Sequence, residues 1–448
     1  MTMSLRMKHK FTSLLGNMAV WGVCLSAGAL SAADFTWLGS PATGNWNAAD
    51  TNWTGAGSVW VNSPTNNASF GASGTQNLSV DVVSVSNITF NADGYVLGGG
   101  SLTLNGNLTV ATSQTAVVTT PMAHSWTNLV SSKLGPGTLV LNPTGNGNSN
   151  IWGSIKVATG TLQINGGTNI VTLSANNPES GPALFVSGGT LVMGGGLLKT
   201  TGGWYARVSD YGTLLITNGL VDLTSNSELL NAHNTPGVTT VSGYGILDLQ
   251  VLRITQNATA GSAALNVVNV NTGGIIRLNN YSIDAGSKKY GTVNFNGGTS
   301  VAKADGVNFF NDGNSNWVGI VAYVLEGGAI IDSNGKSIYF RQALQSGTAN
   351  DGGLTKKGSG NVYLWGTNSY RGGTFLWAGS LNITNDNNLG AIPSSPATNF
   401  TFVGSSTLSA GASHTLAANR TIRIPTNVTA TFDTGVTCLL YTSDAADE

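Results

Sequence analysis

Four short stretches decide the fold. They are Gly137-Thr138-Leu139-Val140-Leu141, Gly160-Thr161-Leu162-Gln163-Ile164, Gly189-Thr190-Leu191-Val192-Met193 and Gly212-Thr213-Leu214-Leu215-Ile216, whose glycines lie 23, 29 and 23 residues apart. The third and fifth positions are apolar in every copy, and the position between them varies. Side chains alternate faces along a strand, so the constant pair points inward and the variable residue outward. The leading glycine supplies a turn that other residues reach only with strain.

The same pattern extends in both directions. An earlier copy is Gly100-Ser101-Leu102-Thr103-Leu104, and later ones begin at Gly245, Gly274, Gly291, Gly360 and Gly379, with a degenerate copy near Gly328-Ala329-Ile330-Ile331. Successive glycines are 37, 23, 29, 23, 33, 29, 17, 69 and 19 residues apart. A one-strand motif with a period in the low twenties, stretched by insertions, predicts a β-solenoid. Coils of ~25 residues stacked ~4.8 Å apart give about fifteen coils and a rod of roughly 70–75 Å. Immunoglobulin-like sandwiches would repeat over about 100 residues and propeller blades over ~40–50, and neither matches this spacing.

Composition agrees. The chain has 448 residues with 61 glycines, 41% hydrophobic and only 9% charged residues. The apolar fraction suffices for a large core, and the abundance of Gly, Asn, Ser and Thr disfavours helix. A formal net charge of -1 gives no electrostatic basis for binding nucleic acid.

Both ends read differently from the middle. Residues 1–33 have the form of a secretory signal: Arg6, Lys8 and Lys10, an apolar run from Phe11 to Leu30, and a small-residue cleavage site at Ser31-Ala32-Ala33. No later run approaches the ~20 apolar residues of a membrane-spanning helix, so the mature fragment is expected to have no membrane span. Residues 438–448 break the preceding composition and resemble translated sequencing-adapter sequence. On that reading the tail is non-native, and the natural chain continues past Thr437 into a C-terminus not present here. The two cysteines, Cys24 and Cys438, fall in these end segments, so packing and not disulfides must stabilise the rest.

Residues 34–95 contain Trp37, Trp46, Trp53 and Trp60. They can be read as a carbohydrate platform or, preferably, as an N-terminal β cap over the first coil's open edge. The repeat region then runs over 96–437.

The stretch Gly353-Leu354-Thr355-Lys356 through Gly360-Asn361-Val362-Tyr363-Leu364 leads into Asn368-Ser369-Tyr370-Arg371-Gly372-Gly373 and Ala378-Gly379-Ser380-Leu381. It resembles the autotransporter-associated β-strand repeat: a Gly-Leu-Thr-Lys lead, a strand, an Asn-x-Tyr-x-Gly-Gly turn and a second strand. The opening around Trp37, Asn45-Trp46-Asn47 and Trp53 resembles the N-terminal region of exported proteins carrying that repeat. Residues 110–350 match only as strand motifs. The resemblance implies a right-handed parallel β-helix passenger, at the cell surface, in the outer membrane or outside a double-membraned bacterium. It carries over no catalytic residue.

Where that family has Thr or Asn at outward positions, this chain has Tyr363, Trp365, Phe375 and Trp377. Outward aromatics can stack on sugar rings or dock another surface protein, or they can pack against a neighbouring coil. These four are the candidate contact residues. Surface glycans or cell-surface proteins are the candidate partners.

Chemistry is harder to find. His124, His233 and His414 are too widely separated to meet in a rod whose coils touch only their neighbours, and no metal or cofactor motif is present. A hydrolase needs two carboxylates flanking the bond, and a lyase needs calcium-binding carboxylates beside a base. The candidates for such roles are Asp305 with Asp312, and Arg207 with Asp210. Neither forms a convincing cluster. The expectation is therefore a non-enzymatic, adhesin-like or stalk-like exported β-helix without cofactors. The alternative is a carbohydrate-binding or polysaccharide-degrading β-helix.

Overall fold

One coil can be followed at residues 154–171. Ser154–Val157, Thr161–Ile164 and Thr168–Val171 are three four-residue strands separated by tight corners. The next coil repeats them as Leu184–Ser187, Thr190–Met193 and Leu197–Thr200. Each strand pairs in parallel with its counterpart one coil away. Three such walls stacked coil on coil make a parallel β-helix. The computed structural model describes residues 32–39, 43–71, 76–125, 130–144, 149–172, 182–202, 205–226, 228–255, 266–283, 291–311, 320–435 and 439–441. All of the signal reading except Ala32 and Ala33, and most of the suspected tail, lie outside these residues.

The first wall is a 13-stranded sheet followed by a 6-stranded one, and residues 307–311 carry the handover between them. The second and third walls together form the 24-stranded sheet. In the second wall Thr115, Thr138, Thr161, Thr190, Thr213, Val238, Val267, Thr292 and Val321 stand in register, 23 to 29 residues apart. This is the true period. The irregular spacing of the sequence motif has a different cause from insertion alone, because the copies are shared among walls. Those at Gly137, Gly160, Gly189, Gly212 and Gly291 are in the second wall. Those at Gly100, Gly245 and Gly274 are in the third, and those at Gly360 and Gly379 in the first.

The inward pairs fill the interior. Leu139, Leu141, Leu162, Ile164, Leu191, Met193, Leu214 and Ile216 are all buried. They belong to one hydrophobic cluster running from Phe35 to Leu416. Each such side chain contributes on the order of 1.5–3 kcal/mol relative to exposure. Corners between walls need glycine where the backbone turns left-handed. Gly196 has φ 75°, and a Cβ there would lie 2.5 Å from the Gly167 carbonyl oxygen of the preceding coil.

At the N-terminus Asp34–Trp37 pairs in parallel with Asn67–Phe70 on one side and antiparallel with Trp53–Gly55 on the other. Trp37, Trp46, Trp53 and Trp60 are buried and pack ring to ring with Phe35 and Phe70, the Trp46–Trp60 centroids being 5.2 Å apart. Phe70 stacks on Phe90 at 5.2 Å, joining this cluster to the interior of the next coil. These indoles therefore offer no exposed platform to a sugar.

Candidate binding surface

Outward positions of stacked coils form columns, and the last coils of the first wall hold the most distinctive one. Asn308, Tyr339, Tyr363, Asn382, Ser409 and Asp433 stand in register. Tyr339 and Tyr363 stack with centroids 4.6 Å apart and planes at 21°. Trp365, 36% exposed, lies 5.2 Å from Tyr339 and 6.3 Å from Tyr363. The Arg341 guanidinium sits over the Trp365 ring at 4.5 Å, and its Nε donates to Asn308 Oδ1 at 3.1 Å. Beyond the rings the column turns polar: Asn382 Nδ2 donates to Ser409 Oγ at 3.2 Å, and Ser409 Oγ to Asp433 Oδ2 at 3.4 Å.

Phe375 and Trp377 are elsewhere. Phe375 lies in the third wall between Thr355 and Thr401, half-buried, and Trp377 is 49% exposed with Lys357 Nζ 5.5 Å from its ring. The four candidate contact residues thus separate into two pairs on different walls. The sequence reading missed Tyr339 and Arg341, which complete the first pair. Their signal was available, because Ile338-Tyr339-Phe340-Arg341 aligns with Val362-Tyr363-Leu364-Trp365 at a one-coil separation.

The proposed catalytic pairs are structural ties where the structure describes them. Arg207 Nη2 lies 3.7 Å from Asp210 Oδ2. Burial pushes the Asp210 carboxyl up, but hydroxyls of Ser187 and Thr235, with Arg207 and Ser209, outweigh it and hold it below the usual carboxylate range. A carboxylate held in that way is poorly suited to act as a base. Asp305 accepts the Ser337 backbone N–H at 2.6 Å, while Asp312 lies outside the described residues. His124 accepts the Gly153 N–H through Nδ1 at 2.8 Å, which leaves Nε2–H to face Ser131 Oγ at 2.7 Å. His414 Nδ1 is 2.8 Å from the Ala412 carbonyl. Among the described residues no three His, Cys, Asp or Glu side chains converge on a metal position, and no helix is long and apolar enough to cross a membrane.

A charged column went unread in the sequence. Lys199, Asp222, Asp248 and Arg277 stand in register on four successive coils of the third wall. Lys199 meets Asp222 at 3.2 Å, and Asp248 meets Lys303 at 2.6 Å and Arg277 at 3.7 Å. Burial raises the Asp222 carboxyl, but Thr224 and Lys199 bring it below its ordinary value. The column brings two carboxylates onto adjacent coils and neutralises both.

The stretch 353–383 has its own internal logic. Lys356 occupies an inward position, fully buried, and its Nζ donates to Ser333 Oγ (3.1 Å) and to the carbonyls of Gly358 (2.5 Å), Gly360 (2.7 Å) and Ala378 (2.7 Å). Asn368 accepts the Leu344 N–H at 2.8 Å and donates to the Asn388 carbonyl. The Tyr370 hydroxyl is 2.7 Å from Thr374 Oγ1. The Asp351 carboxylate gathers the N–H groups of Gly353, Arg371 and Gly372 at 2.8–3.0 Å and the Ser346 hydroxyl at 2.6 Å. The lead, the turn and the strand after it are thereby tied across adjacent coils.

Residues 132–168 and 354–383 match the passenger-associated-transport-repeat. The chain carries two autotransporter-passenger repeats. It is accordingly a cell-surface or extracellular protein of a Gram-negative bacterium. It is 28% identical over 195 residues to the Adhesin BmaC autotransporter of Brucella suis biovar 1 (strain 1330), an alignment covering 38% of this chain and 6% of that protein. No solved structure matches.

The first of these repeats falls inside the region that the sequence reading matched only at the level of strands. Its geometry agrees with the second. Lys133 is buried like Lys356, and its Nζ donates to the carbonyls of Leu134 (3.0 Å), Gly135 (2.7 Å) and Thr159 (3.2 Å). Gly135 and Gly358, each two residues after the lysine, both turn left-handed, at φ 73° and 76°. In both passenger repeats, then, the lysine is an internal staple. Its ammonium satisfies corner carbonyls contributed by two coils.

Proposed function

We propose that this passenger is a non-enzymatic, adhesin-like shaft that displays contact residues along a rigid rod. The observation carrying the reading is the combination of one uninterrupted core from Phe35 to Leu416 with outward aromatics, Trp365 and Trp377, exposed on it. A continuous stack of coils is a good spacer, and apolar rings fixed to it are natural points of contact. Tyr363, Trp365, Phe375 and Trp377 are the proposed contact residues. The buried Trp cluster and its antiparallel Trp53–Gly55 strand serve as the N-terminal cap. The related Brucella protein, named an adhesin, supports the same direction.

The test is to coat beads with the full chain, measure their attachment to cell layers, and incubate the soluble protein with plant, microbial and animal polysaccharides. Attachment reduced by Trp365→Ala combined with Trp377→Ala, without release of new reducing ends, is the expected result. Depolymerisation of any polysaccharide by the purified chain would overturn the non-enzymatic reading.

A further inference from the structure

The aromatic column of the first wall ends in a step. Tyr339 covers one face of Tyr363, but the residue in register on the following coil is Asn382, with Ser409 and Asp433 after it. A phenol ring reaches further from the backbone than a carboxamide, so the outer part of Tyr363 overhangs Asn382. Trp365 stands beside it at 60°, with 36% of its surface exposed. Two ring planes thus meet at an open corner above a polar floor.

We propose that this corner is a binding shelf for a neutral hexopyranose glycan. The inference rests on the adhesin-like reading and names the ligand class for one of its contact faces. A pyranose has an apolar C–H face that stacks on an aromatic ring and a rim of hydroxyls that need acceptors and donors. Tyr363 and Trp365 supply the first. Asn382 and the exposed Asp433 carboxylate supply the second, joined through Ser409. The cation nearest the corner is already engaged, because the Arg341 guanidinium is stacked on Trp365 and donates to Asn308, and this favours a neutral sugar over an anionic one. Rings set on rigid strands lose little conformational freedom on binding, which favours recognition by a shallow site.

The test is calorimetric titration of the full chain with hexamers of β-glucan, mannan and galactan, and with oligogalacturonate as the anionic counterpart. At least one neutral hexamer is expected to bind, with affinity lowered tenfold or more by Tyr363→Ala or Trp365→Ala and severalfold by Asn382→Ala. Trp365→Phe, which keeps a ring, should retain most of the affinity. Tyr244→Ala, which removes an 86% exposed ring on another part of the rod, should change nothing. Unchanged circular dichroism identifies the variants that remain folded. Preference for oligogalacturonate, failure of every neutral hexamer to bind, or binding indifferent to Tyr363→Ala and Trp365→Ala would each overturn the shelf. Bead attachment that persists alongside such a result would leave the adhesin-like reading standing and remove only its ligand.

Discussion

Replacing Lys356 by methionine keeps much of the side-chain volume and removes the buried ammonium. Its effect at neutral pH is a difference between two comparable quantities. Three corner carbonyls lose their donor, at about 1–3 kcal/mol each, while the burial of a charge is relieved. The pH dependence is cleaner. Burial pulls the Lys356 ammonium from 10.5 down to about 8, with Asp332 opposing. Below pH 8 the group is charged in both folded and unfolded chains, so the folded protein bears the full penalty. Between pH 8 and 10.5 the unfolded chain binds the extra proton, and stability rises with pH. At 1.36 kcal/mol per pH unit the rise is at most about 3 kcal/mol, a ceiling because the surrounding acceptors favour the charged form. Parallel urea titrations of wild type and Lys356→Met at pH 7, 8, 9, 10 and 10.5 cancel the titrations common to both. The stability difference should move in favour of wild type across that window. A difference that stays constant or moves the other way would refute the assignment. Lys133, also drawn down to about 8 by burial, gives an independent repetition as Lys133→Met.

Trp46→Ala should destabilise the N-terminal coils by about 3–5 kcal/mol, because the ring is fully buried among Trp53, Trp60 and Phe70; denaturant melts resolve it, and a loss below about 1 kcal/mol would contradict the packing. A double-mutant cycle of Tyr339→Ala and Tyr363→Ala should return a favourable coupling of about 0.5–1.5 kcal/mol, and strictly additive losses would mean the rings do not stack in solution. Asp351→Ala strands the buried Gly353 N–H and the part-buried N–H groups of Arg371 and Gly372 and should cost about 1–3 kcal/mol, with faster amide exchange at Gly353, Arg371 and Gly372; unchanged exchange there would argue against the carboxylate as the turn's organiser.

The β-helix was legible because its determinant is local. A pair of inward aliphatics such as Leu139 and Leu141 marks a strand wherever it occurs. The assignment of strands to walls was not legible, since Leu102, Leu139 and Val362 carry the same motif on three different faces. For the same reason the sequence could not separate Tyr363 from Phe375, which lie on different walls. Tyr339 escaped because its strand lacks the leading glycine motif, and it becomes visible only once register is known. Lys356 was better signposted. It lies two residues after Leu354, on the inward face by simple alternation, and that position alone predicts a buried ammonium needing acceptors.

The charged column of the third wall bears on how such a chain can change length. Its order along the axis is Lys199, Asp222, Asp248, Arg277, cation, anion, anion, cation. Suppose unequal recombination excises one whole coil. Loss of the coil bearing Asp222 brings Lys199 against Asp248, and loss of the one bearing Asp248 brings Asp222 against Arg277. Either junction is attractive. Only excision of both inner coils sets Lys199 against Arg277, an adjacency that repels. The column therefore accommodates the loss of either inner coil and opposes the loss of both, so the rod can shorten there by one coil without setting like charges face to face.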